Sequence, residues 1–99
     1  MPFHAHEVLE DAWKTAPDAD REFWRGLAQL AVGATHAARG NRSGAIALLR
    51  RGDAAVLAYV DTPPHHLDID AIRRWCAEAV ERVSRECPIE LPAPPLLPR

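Results

Sequence analysis

Arg21-Glu22-Phe23-Trp24-Arg25-Gly26-Leu27-Ala28-Gln29-Leu30-Ala31-Val32-Gly33-Ala34-Thr35-His36-Ala37-Ala38-Arg39-Gly40-Asn41 is the stretch that decides the fold. Phe23, Leu27, Leu30, Ala31 and Ala34 recur at spacings of three and four, so one face of a helix is apolar. Asp18 or Asp20 stands where an N-cap is wanted. Gly40 is placed to take the left-handed backbone that closes a helix over Arg21 to Arg39, and Asn41 can cap the next one. Gly-Asn between two helical patterns predicts a tight helical hairpin.

Upstream, Phe3, His6, Leu9, Glu10 and Trp13 share a face at the same spacing and predict a helix over Phe3 to Thr15 that Pro17 ends. Downstream, a helix is predicted over Arg42 to Tyr59, with Ile46, Leu49, Leu57 and Val60 facing inward. Gly52-Asp53 in its middle predicts a kink or break, because an interior Gly costs about 1 kcal/mol relative to Ala. Asp61-Thr62-Pro63-Pro64 is a stop. Asp68 or Asp70 then caps a helix reaching Arg85 or Glu86, with Ile69, Ile72, Cys76, Ala79 and Val83 as its seam. Pro88, Pro92, Pro94, Pro95 and Pro98 cannot continue a helix and favour an extended conformation that Leu91, Leu96 and Leu97 could pin across the bundle. Pro92-x-x-Pro95 and Pro95-x-x-Pro98 also match the ligands of SH3-type domains. The class is all-α: a compact bundle of about four helices forming one domain over residues 1–87, with a Pro-rich extended tail over 88–99. No strand pattern and no internal repeat interrupts that reading.

Ninety-nine residues suit a single core. The net charge of −2 offers no global attraction to nucleic acid or to an acidic membrane. No apolar run approaches the ~20 residues that cross a bilayer. Met1-Pro2-Phe3-His4 leads straight into a helical pattern, which predicts no signal or transit segment and a cytoplasmic location. Cys76 and Cys87 lie eleven residues apart without a CxxC pairing, so free thiols are expected. Lys14 is the only lysine among many arginines, and alanine is plentiful, a bias that suggests a bacterium with a GC-rich genome.

Two stretches carry a family resemblance. Phe3-His4-Ala5-His6-Glu7-Val8-Leu9-Glu10-Asp11-Ala12-Trp13 matches an Ala-His-Glu-x-Leu-Glu-x-x-Trp helix. Phe23-Trp24-Arg25-Gly26-Leu27-Ala28-Gln29-Leu30-Ala31-Val32, continuing to His36 and Gly40-Asn41, matches a Gly-Leu-x-Gln-x-Ala helix closed by a His and a Gly-Asn turn. Together they resemble the bacterial family known as domain of unknown function 309, over about Phe3 to Val60. The resemblance implies a compact helical fold and brings no established activity.

Polar residues on apolar stripes carry what chemistry the sequence offers. His6 and Glu10 are i and i+4 on the face of Phe3, Leu9 and Trp13. Burying either without a partner is costly. Glu22, Gly26, Gln29, Gly33 and His36 form a second stripe whose two glycines admit a close neighbour. Helix one against this stripe would gather His6, Glu7, Glu10, Gln29 and His36 into one patch. The leading expectation is a buried polar network in a non-enzymatic structural or protein-interaction module, with no cofactor. The alternative is a divalent transition-metal site on His6, Glu10 and His36, with Glu7 as extra ligand or base, serving metal binding or a metal-dependent hydrolase. A third reading has Glu10 orient His6 for proton transfer. Exposed Trp24 or Trp75 would mark a homodimer or partner surface. Neither nucleic acid nor membrane is an expected partner, since the arginines are interspersed with acids and no aromatics stand ready to stack bases.

Overall fold

A computed structural model of the chain describes residues 14–98. Within them lie three α-helices, α1 (Arg21–Ala38), α2 (Arg42–Leu57) and α3 (Ile69–Arg85), with 3-10 turns at Asp18–Asp20 and Pro64–His66. No strand occurs among the described residues; an isolated antiparallel bridge joins Leu67 to Pro98. The predicted helix over Phe3 to Thr15 lies outside the described residues except for Lys14 and Thr15, which are helical.

The turn after α1 forms as its residues dictate. Gly40 takes φ +85, where a side chain would be strained. Its N–H donates to the Ala37 carbonyl, 3.3 Å, while the Asn41 N–H donates to the His36 carbonyl, 2.9 Å, the paired bonds of a Schellman closure. The Asn41 side chain accepts from the Gly44 N–H at 3.0 Å, so one residue closes α1 and opens α2. At α3 the cap is Asp68, whose carboxylate accepts from the Ala71 N–H at 3.0 Å. Before α1 neither Asp18 nor Asp20 caps through its side chain; the chain enters through the 3-10 turn instead.

α1 and α2 touch along small residues. A methyl placed on Gly26 would lie 2.6 Å from Ala55 Cβ and 3.3 Å from the Gly52 carbonyl oxygen. One placed on Gly33 would lie 3.2 Å from Leu49 Cγ and 3.3 Å from the Ala45 carbonyl. The glycine stripe of α1 is therefore taken by α2. The space beside these glycines is filled by the next helix in the hairpin, while the expected seating of helix one against the stripe lies outside the described residues.

Gly52 explains a second difference. α2 runs unbroken through Gly52-Asp53, where a kink was expected. Local propensity disfavours glycine there, but a methyl on Gly52 would sit 2.7 Å from Leu30 Cγ and 2.8 Å from the Gly26 carbonyl oxygen. Close packing outweighs propensity. The inward face of α2 is Ala45, Leu49, Gly52 and Val56. Leu57 and Val60, expected inside, are 43% and 40% exposed, because α2 ends at Leu57 with Val56 holding the buried position.

Phe23, Leu27, Leu30, Leu49, Val56, Ile72 and Val83 are fully buried and form the centre of the core. α3 adds the whole seam of Ile69, Ile72, Cys76, Ala79 and Val83, together with Trp75. Arg42 Nε donates to the Val83 carbonyl at 3.1 Å, tying the start of α2 to the last turn of α3, where a cation also suits the helix dipole. Tyr59 Oη donates to the Ala19 carbonyl at 2.8 Å and its ring meets Phe23 edge-on at 5.4 Å, locking the exit of α2 to the entry of α1.

Gly52→Ala tests the weight of packing against propensity. Helix propensity alone predicts a gain of about 1 kcal/mol. The close contacts predict a net loss of about 1–2 kcal/mol, read as a Tm lower by several degrees. A raised Tm would contradict the close approach of α1 and α2.

Candidate functional site

His36 stands in the last turn of α1, half-buried, and its position follows from the hairpin turn. Its Nδ1 lies 3.1 Å from Asn41 Nδ2. Because Asn41 Oδ1 is committed to the Gly44 N–H, the group facing His36 is the amide donor. His36 Nδ1 must then accept, which puts the ring proton of the neutral imidazole on Nε2. A metal on Nε2 would move that proton to Nδ1 and set two donors face to face. A metal on Nδ1 would displace the Asn41 amide. Either way the cap of α2 would have to rearrange.

The other members of the expected patch are placed as follows. Gln29 is half-buried on α1, seven residues before His36, so about 10 Å separates them along the axis and joining them needs side chains from another element. Glu22 is exposed and pairs with Arg25 at 3.7 Å. His6, Glu7 and Glu10 lie outside the described residues. Among the described residues no three His, Cys, Asp or Glu side chains are gathered closely enough to hold a metal ion.

The two interface candidates can also be placed. Trp24 is half-buried, edge-on to Phe23 at 5.3 Å and to His65 at 5.8 Å. Trp75, which would mark a partner surface if exposed, is 8% exposed and its indole N–H donates to the Pro92 carbonyl at 3.2 Å. The tail covers it. His65 and His66, adjacent in the connection, are exposed and take φ of 52 and 58, a left-handed backbone that is strained for side chains of this size.

A cluster that sequence reading missed lies between α2 and α3. Arg73 Nε donates to Asp53 Oδ1 at 3.0 Å, and this bond holds the guanidinium pKa above its usual range. Both side chains are partly in water, so the pair contributes under about 1 kcal/mol. Beside it an open cavity of about 190 Å³ is lined by Leu49, Arg50, Asp53, Cys76, Ala77 and Val80. Burial pushes the Cys76 thiol up to about 12, with the Asp53 carboxylate adding to the effect. Such a thiol holds its proton at neutral pH and is no nucleophile. Twenty residues separate Asp53 from Arg73, so no local spacing in the sequence could have paired them.

With the hairpin and its turn in place, comparison with known proteins finds the same stretch. Residues 1–48 match the family model of DUF309, a domain of unknown function. Over those residues the chain is similar to that family. The match stops at residue 48, within α2, where the motifs had suggested a reach to Val60. The uncharacterized protein YpuF of Bacillus subtilis (strain 168) is 44% identical over 48 residues, which are 48% of this chain and 28% of that relative. The chain thus aligns with less than a third of the length of the curated relative it matches. No solved structure matches it. Among the described residues no helix is long and apolar enough to cross a membrane.

The thiols supply a pH test. Below about pH 9 the Cys76 thiol is protonated in both states; between there and about 12 the unfolded chain loses the proton that the folded chain keeps. The unfolded state binds fewer protons in that window, so stability falls as pH rises through it. Wild type should lose Tm above about pH 9 more steeply than Cys76→Val. Iodoacetamide should label Cys87 in the native protein and reach Cys76 only on unfolding; equal native labelling would contradict the burial of Cys76.

Proposed function

We propose that this chain is a non-enzymatic structural or protein-interaction module whose His6, Glu7, Glu10, Gln29 and His36 set is architectural. The observation that supports this most directly is the bonded sequence His36 Nδ1, Asn41 amide, Gly44 N–H. It gives the imidazole a place in the turn that joins α1 to α2. In this reading the imidazole helps to orient the N-cap, and N-caps contribute about 0.5–2 kcal/mol. The same bond opposes coordination through either ring nitrogen of His36, which weighs against the metal-binding or metal-dependent hydrolase reading built on His6, Glu10 and His36. The DUF309 match leaves this reading free, since neither the family nor YpuF carries a described activity.

Elemental analysis of protein purified without a metal-binding tag decides between the two. Wild type, His6→Ala and His36→Ala should all be metal-free, added zinc should leave Tm unchanged, and His36→Ala should lose about 1 kcal/mol of stability. Near-stoichiometric metal in wild type that His6→Ala abolishes would overturn the proposal and make a metal-dependent hydrolase the reading to pursue.

A further inference from the structure

The groove between α2 and α3 holds a cluster that the architectural role of His36 does not use. Two open cavities, of about 190 and 360 Å³, lie along it, and Asp53 and Ala77 line both. The larger falls within the range of small-molecule pockets, about 300–1,000 Å³. All of the lining residues lie beyond residue 48, outside the stretch that matches the family.

The two cavities differ in chemistry. The smaller has an apolar wall of Leu49, Cys76 and Val80. Burial keeps the Cys76 thiol protonated, so it adds no charge there. The larger is polar, with Arg73, Arg74 and Asp70 around it. Arg73, Ala77 and Val80 follow one another on one face of α3 at spacings of four and three, and the small, exposed Ala77 leaves room between the guanidinium and the apolar wall.

Arg73 is oriented before any ligand arrives. Its bond to Asp53 runs through Nε at 3.0 Å, which fixes the guanidinium while leaving the terminal nitrogens, the fork that grips a carboxylate, outside that bond. The side chain is 40% exposed, so the fork is reachable from water. Arg50 lines the smaller cavity and Arg74 the larger; with Arg73 they oppose Asp53 and Asp70, and three arginines against two aspartates leave one positive charge. That excess suits a single negative charge. A phosphate monoester, with nearly twice the charge, would meet more repulsion from the two aspartates.

We propose that this groove binds a small monocarboxylate bearing a short apolar chain, with the carboxylate on the terminal nitrogens of Arg73 and the chain lying over Ala77 against Leu49 and Val80. The proposal goes beyond the structural-module reading and uses none of its residues, so either can fail without the other.

Titration of the isotope-labelled full chain with hexanoate, followed by the amide and arginine Nε–H resonances, tests the site. Acetate lacks the chain and hexanol lacks the charge, so these two are the controls. With hexanoate the Arg73 Nε–H and the Ala77 and Val80 amides should shift and saturate in the millimolar range, and both controls should bind more weakly. Arg73→Gln and Ala77→Leu, the second of which fills the groove from an exposed position, should each weaken hexanoate about tenfold while the rest of the spectrum stays that of wild type. Shifts that remain linear in hexanoate, that acetate or hexanol reproduces at the same concentrations, or that persist unchanged in either variant would overturn the proposal.

Discussion

The close approach of Gly26 on α1 to Gly52 and Ala55 on α2 sets the geometry on which the rest of the structure depends. Two helices that meet through side chains of ordinary size sit about 8–10 Å apart. Removing the methyl groups at the crossing lets the backbone of one helix touch the other, with Leu30 lying over Gly52 and Leu49 against Gly33. The interface is narrow and leaves room for few alternative packings. It is also consistent with the short turn at Gly40-Asn41, which fits helices that are already close.

From that hairpin the other parts follow in order. Fixing α2 directs Arg42 to the end of α3 and Asp53 to Arg73, so α3 is attached at two places besides its buried seam. Fixing α1 puts the carbonyl of Ala37 where the tail can reach it, through Ile89 N–H and, at 3.7 Å, Cys87 Sγ. Trp75 then has one face in the core and its N–H toward the tail, an arrangement that a buried indole favours because an unpaired donor is costly. The functional reading depends on the same frame, since His36 meets Asn41 only because the turn closes as it does.

Much of this was legible in the sequence. α1, α2 and α3 begin where predicted and end within about two residues of the predicted limits, because caps and the Gly40 turn are local chemistry written in local residues. The buried stripe of α1 and the seam of α3 were also readable from spacing. What failed was tertiary. Gly52 reads as a helix breaker in isolation and is a contact residue in the fold. Gly26 and Gly33 announce a close neighbour without naming which helix it is. Val60 continues a periodic pattern beyond the point where α2 stops. Trp75 reads as a large aromatic on a polar helix, and only the path of the tail explains its burial. Of the candidate site, His36 and its turn were found; the bond to Asn41 that fixes its tautomer depends on an Asn rotamer that no spacing specifies.

The most direct measurement of the central contact is a double-mutant cycle that moves one methyl across the interface. Gly26→Ala adds it to α1 and Ala55→Gly removes it from α2, and unfolding free energies are measured for both single variants and the pair. Each single change should destabilise, the first by overpacking and the second by about 1 kcal/mol of lost helix propensity. In the pair the added methyl occupies the vacated space, so the coupling should recover about 1 kcal/mol or more relative to the sum of the two. Simple additivity would mean that Gly26 and Ala55 do not touch, and that the hairpin is held by something other than this contact.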